Sequence, residues 1–187
     1  MKKYMHAELN LLNPYEIISE DPEKYWFITQ CNIVYIAYFT NSTGYFNSHP
    51  EFNEHILSFT FEPAGEEREA LYLGVSVSKV LAQSHDKRIL DTIITILLHA
   101  FKENPRKSII IICESADNLA RCRNRLFNQW FEKANALNGQ MVCKYDLTIM
   151  NEGFASLFVH RHNMFREKIR DAFLDIPNRV SENKPSN

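Results

Sequence analysis

The chain has 187 residues, of which 45% are hydrophobic and 24% charged, with 13 Phe among the aromatics. At that length a compact fold hides roughly 70% of its unfolded surface, so one core is expected, and the composition excludes disordered, collagen-like and coiled-coil classes. Gly44, Gly65, Gly74, Gly139 and Gly153 are never clustered, which excludes the two common phosphate-cradling loops. The net charge of −2 conceals an asymmetry: residues 1–100 hold 7 Lys/Arg against 13 Asp/Glu (−6), and residues 101–187 hold 14 against 10 (+4).

Met1-Lys2-Lys3 could open a signal peptide, but His6, Glu8, Asn10 and Asn13 interrupt any apolar stretch of the needed length. The longest apolar runs, Ile33 to Phe39 and Ile109 to Cys113, fall far below the ~20 residues of a membrane span. Cys31, Cys113, Cys122 and Cys143 form no C-x-x-C pair, so neither a zinc ribbon nor a disulfide framework is suggested. The expectation is a cytoplasmic protein with no membrane partner.

Tyr25 to Gln30 and Ile33 to Thr40 are rich in β-branched and aromatic residues, and the Cys31-Asn32 step between them reads as a tight turn or as part of one long strand. A turn-rich stretch, 41–50, leads to a strand over Ile56 to Phe61. The charged turn 63–67 precedes Ala70 to Val77, where Leu71, Leu73, Val75 and Val77 share one strand face. From Asp86 to Glu103 the period becomes helical, with Ile89, Leu90, Ile93, Ile96, Leu97, Ala100 and Phe101 on one side, Ser84 placed to cap, and Arg88, Asp91, Thr92, Thr95, His99 and Lys102 on the opposite, polar face.

Ser108 to Cys113 is a short continuous apolar run, as for a strand buried on both faces. A second helix is expected from about Asp117 to Leu137, closed by Asn138-Gly139. Met141 to Met150 and Phe154 to His160 flank a hairpin signal at Asn151-Glu152-Gly153, and a last amphipathic helix carries Phe165, Ile169, Ala172, Phe173 and Ile176. The whole reads as a single α+β domain over 1–176 with a flexible tail at 177–187. Its expected architecture is a mixed, mostly antiparallel sheet, two main helices on one face and a short C-terminal helix.

On a projection of 100° per residue, Leu119, Cys122, Leu126, Phe127, Trp130, Phe131, Ala134 and Leu137 of the second helix form its core face. Arg123 projects near the centre of that face. A desolvated guanidinium needs a carboxylate with good geometry, and Asp86 is the first candidate partner, Glu114 the second. The plain reading is a structural ion pair. The sharper one is an anion-gripping arginine at the carboxyl end of the strand, where Glu114 and Asp117 would favour a cationic or metal-bridged ligand.

The run Cys113-Glu-Ser-Ala-Asp117, then Arg123-Asn-Arg-Leu-Phe127 and Trp130-Phe131, resembles the central segment of a bacterial domain-of-unknown-function family of Bacteroidetes-type bacteria. Phe59-Thr-Phe-Glu-Pro63 and Asp86-Lys-Arg-Ile89 with Thr92-Ile93 are similar in order and spacing, so the likeness spans 25–175. It implies a single-domain bacterial protein and no established activity, cofactor or catalytic residue. Where that family often has a Gly shortly after the Asp, this chain has Asn118 and Leu119.

Other candidates are weaker. His160 and His162 would share a strand face if the strand continues through Asn163, but two ligands do not make a metal site. Cys113, beside Ser115 at a helix start, could be a nucleophilic thiolate with His99 as base, although Ser115 is more simply an N-cap. Arg121, Arg125, Lys133, Arg161, Arg166, Lys168 and Arg170 could form a phosphate-contacting patch or two solvated helix faces. The resulting expectation is a binding or interaction module without a recognisable catalytic motif, cofactor or metal; its partner and oligomeric state are left open, with a protein favoured over nucleic acid. The ligand or ion-pair candidates are Arg123, Asp86, Glu114, Asp117, Ser115 and Cys113. The alternatives are a small enzyme with a site around Cys113 to Arg123, and weak nucleic-acid binding through the basic C-terminal half.

Overall fold

The computed structural model describes residues 3–4, 12–41, 46, 49–65, 86–113, 120–137, 139–149 and 153–176. The expected strand at Ala70 to Val77, the cap at Ser84 and the tail at 177–187 lie outside the described residues. The protein has an α+β fold, and its contacts divide the chain into two compact units. The first comprises 1–39 and 60–99, the second 40–59 and 100–187.

In the first unit, β1 (Lys3–Tyr4), β2 (Ile18–Asp21), β3 (Lys24–Ile28) and β4 (Val34–Asn41) pair as successive antiparallel neighbours. The far half of β5 (Ile56–Pro63) lies beside β4, where Ala64 N–H donates to the Val34 carbonyl. The Cys31-Asn32 step is a turn: Asn32 adopts φ 59°, tolerable for Asn, and its N–H donates to the Thr29 carbonyl. Tyr25 stands opposite Ala37 and Phe27 opposite Tyr35, so one face of the β3–β4 pair is aromatic and buried. Phe27 stacks on Tyr35 at 5.2 Å and on Tyr15 at 6.1 Å.

Helix α1 (Lys87–Glu103) lies against this face, with His99 edge-on to Tyr25. Its N-cap is Asp86, whose Oδ1 accepts the Arg88 N–H at 2.9 Å. The polar face expected to meet water is covered: Asp91, Thr92 and Thr95 are buried, Thr92 completely. The strand-free segment 12–17 runs over it. Asp91 Oδ2 accepts the Asn13 N–H at 3.0 Å, and Thr92 Oγ1 accepts the Tyr15 N–H at 2.8 Å while donating to the Arg88 carbonyl at 2.6 Å.

In the second unit, the near half of β5 runs parallel to β6 (Ser108–Cys113). β6 is antiparallel to β8 (Gly153–His160), which is antiparallel to β7 (Val142–Ile149), so the ladders are mixed and mostly antiparallel. β6 is buried nearly throughout, as its continuous apolar run requires. Helix α2 (Ala120–Leu137) and helix α3 (Arg166–Leu174) contact opposite faces of β8. Ala155, Leu157 and Val159 join Ile56, Ile110, Ile169, Ala172 and Phe173 in one core, while Phe158, on the other face, meets Phe131 of α2 at 5.7 Å.

Replacing Thr92 by Val keeps the shape but leaves the Tyr15 N–H without its acceptor in a buried place. Urea unfolding is expected to show a loss of about 1–3 kcal/mol for Thr92→Val and a much smaller one for Thr92→Ser. Equal losses in the two variants would show that the hydroxyl does not carry the contact.

Candidate functional site

Three of the six expected site residues, Glu114, Ser115 and Asp117, lie outside the described residues. The other three fall in different units. Asp86 belongs to the first, where its carboxylate caps α1 and accepts the Tyr15 hydroxyl at 2.5 Å. Tyr15 in turn accepts the Gln30 N–H at 3.2 Å, and Arg88 lies 4.0 Å over its ring while donating to the Asn13 and Pro14 carbonyls. Burial, then the bond to Asp86, raises the Tyr15 phenol above its ordinary value. Asp86 is thus tied into a network with Tyr15 and Arg88.

Cys113 and Arg123 belong to the second unit. Cys113 ends β6 opposite Phe154, on the face of the ladder that α2 covers. Arg123 is half-buried on α2, whose buried side chains are Ala120, Phe127 and Trp130. Cys122 and Leu126, expected in the core, are exposed instead. The buried stripe is therefore narrower than the projected half-circumference, and Arg123 sits within it beside Phe127 and Trp130, which meet edge to face at 4.9 Å.

Burial pushes the Cys113 thiol up, and this outweighs the opposing pull of Arg123 and Lys144. A thiol held neutral is the reverse of the activated thiolate that nucleophilic chemistry needs. His99, considered as its base, belongs to the first unit, edge-on to Tyr25.

The same face of the second unit carries a polar group that the sequence reading missed. Lys144 on β7 stands opposite Phe158, and Asp146 stands opposite Ser156. Asp146 Oδ1 accepts the Ser156 hydroxyl at 2.6 Å and the Lys144 ammonium, whose side chain is only 6% exposed and lies 5.9 Å from the Phe158 ring. The available signal was the Lys-x-Asp spacing on a strand, which puts both charges on one face.

Residues 85–175 match a family of unknown function, DUF6169. The matched segment runs from the cap of α1 through β6, α2, β7 and β8 to α3, and it leaves out 25–84, where the sequence resemblance was expected to begin. No curated protein and no solved structure matches the chain.

His160 and His162 lie 5.6 Å apart, and burial with the neighbouring His162 lowers the His160 value. Among the described residues, no three His, Cys, Asp or Glu side chains converge as a metal site would require. No helix among the described residues is long and apolar enough to cross a membrane.

The raised Cys113 value has a sign. The folded state favours the protonated thiol, so the stabilisation is complete below the ordinary cysteine value of about 8.5 and is lost as pH rises through the elevated folded value. The stability gap between the native chain and Cys113→Ser is expected to narrow across that alkaline window, read by denaturant unfolding at a series of pH values. A gap that widens with pH would reverse the assignment.

Proposed function

We propose that this is a non-catalytic interaction module of a bacterial cytoplasm, with the outer face of α2 as its docking surface. The observation that carries the reading is Leu126, an apolar side chain 39% exposed on a helix whose exposed residues also include Arg121, Cys122 and Arg125. An exposed apolar anchor on a helix face that also carries Arg121, Arg125 and Glu132 suits a partner with an apolar residue set in a polar surface, because contact area supplies the affinity and charge the orientation. The mildly basic second half of the chain is consistent with such a partner.

Closed chemistry elsewhere supports the same reading. The Cys113 thiol is held up by burial, and the Ser156 hydroxyl is committed to a carboxylate that also takes the Lys144 ammonium. The four cysteines are free, with Cys31 and Cys122 exposed, a state that fits a reducing compartment.

Nucleic acid is a poorer fit. Arg166 pairs with Glu167, and Arg170 with Glu167 and Asp171, so these α3 cations are neutralised on their own helix. The remaining candidates are divided, because α2 and α3 contact opposite faces of β8.

The test is a paired affinity capture with the native chain and with Leu126→Asp, each read by mass spectrometry and each checked for an unchanged circular dichroism spectrum. A specific protein held by the native chain and lost with Leu126→Asp is expected. Identical recoveries would sink the α2 surface, and a turnover abolished by Cys113→Ser in a folded chain would replace the module with an enzyme.

A further inference from the structure

The edge of the second unit's sheet is an eight-residue strand. Among the described residues β7 pairs with β8 alone. In an antiparallel ladder, residues alternate between bonding to the neighbour and presenting N–H and C=O to the other side. The Arg161 N–H donates to the Met141 carbonyl at 2.7 Å, which marks the 141/161 pair as bonded. It follows that 143, 145, 147 and 149 bond towards β8, and that Val142, Lys144, Asp146 and Thr148 present their backbone groups outward. The Val142 N–H agrees: it donates to Asn135 Oδ1 at 3.2 Å rather than to β8.

A charged side chain standing off the edge is one of several devices that guard strands of this length, and Asp146 is exposed here. Here the lysine does not stand off. Its side chain is 6% exposed, folded over Phe158 and joined to Asp146. Meanwhile Tyr145, Leu147 and Ile149 are only partly buried where they pack against the core, leaving an apolar margin on the other face.

We propose that β7 pairs antiparallel with β7 of a second copy of this chain, with Tyr145 on the two-fold axis. The charges choose both occupant and register. Pairing a strand with its own copy about a two-fold opposes residues whose numbers have a constant sum, and only an even sum keeps the faces matched. With Tyr145 on the axis, Lys144 faces Asp146 of the partner and Asp146 faces the partner's Lys144. Moving the axis by one residue either way sets Lys144 against Lys144 or Asp146 against Asp146, and like charges directly opposite are destabilising.

The same register sets the outward backbone groups of Lys144 against those of Asp146 in the partner, where they exchange hydrogen bonds. An ammonium has three donors and a carboxylate two acceptor oxygens, so the bond within each strand leaves capacity for the bond across. The result is an alternating four-charge cluster, with the apolar margins of the two copies continuous on the opposite face.

The test is the mass of the intact chain in solution, by light scattering or sedimentation equilibrium at micromolar concentration. The native chain is expected at twice the chain mass. Thr148→Pro removes an outward N–H without touching the β8 ladder, and Lys144→Glu sets like charges opposite each other; both are expected at the single-chain mass. Lys144→Asp combined with Asp146→Lys restores the alternation and the doubled mass.

Register is read independently of these variants. Tyr145→Cys is expected to cross-link to its own copy under mild oxidation that leaves the native chain uncross-linked, and Asp146→Cys is not. If Thr148→Pro loses its circular dichroism spectrum, the cysteine pair and the charge exchange carry the decision. A native chain at the single-chain mass, whether another segment or a different partner takes the edge, overturns the proposal. So does a folded Thr148→Pro that keeps the doubled mass, or cross-linking at 146 in place of 145.

Discussion

Asp91 and Thr92 stand on the side of α1 where an amphipathic helix meets water, and each instead takes a backbone N–H from a strand-free segment, Asn13 for one and Tyr15 for the other. Segment 12–17 has no ladder of its own, so its buried amides must find acceptors or forfeit their solvation. With those acceptors supplied, the segment that carries buried Leu12, Tyr15 and Ile17 keeps the Asn13 and Tyr15 donors satisfied. Tyr15 then extends the arrangement: its ring stacks on Phe27, which stacks on Tyr35, and its hydroxyl bonds the Asp86 cap of α1. Arg88 closes the loop over the Tyr15 ring. Helix cap, aromatic stack and N-terminal segment are one network, and the loss of Asp86, Asp91 or Thr92 strands a polar group belonging to another member.

The second unit depends on β8. It is bonded on both sides, to β6 and to β7, and successive side chains serve two cores. Leu157 and Val159 face α3, and Phe158 faces α2. The polar exception is Ser156, which is buried and whose hydroxyl is satisfied by Asp146 from the neighbouring strand. The exit from β8 is fixed just as locally. Buried Asn163 donates to the Arg106 carbonyl at 2.8 Å and accepts the Phe165 N–H at 2.9 Å, which ties the turn before α3 to the start of β6.

The parts legible in the sequence were those where period and burial coincide. The apolar run at Ser108–Cys113, the two strands around Gly153 and the helix carrying Ile169 and Phe173 all stand where their patterns put them. The short β1 and β2 were missed because two and four residues carry no period. The burial of Asp91, Thr92 and Thr95 was invisible for a different reason: a polar face covered by a distant segment has the same periodicity as one facing water. Helix α2 erred in the opposite direction. Its apolar half-circumference was read as core, yet Cys122 and Leu126 lie outside the stripe that Ala120, Phe127 and Trp130 bury. For the site, Arg123 was projected near the centre of the α2 core face and stands half-buried there, while the Tyr15 and Arg88 contacts of Asp86 carry no sequence signal because Tyr15 is distant in the chain.

Charge counted over half a chain describes composition; recognition depends on charge gathered on a face. Among the described residues the excess over 101–187 is divided, because α2 and α3 contact opposite faces of β8 and the α3 cations are interleaved with Glu167 and Asp171. Such exposed pairs contribute little to stability, but they cancel a long-range field before it can form. On α2 the exposed Arg121 and Arg125 stand one turn apart, and exposed Glu132 and Leu126 lie on the same helix. Charges interleaved with their opposites act at short range, through local pairing and shape, rather than by steering from a distance.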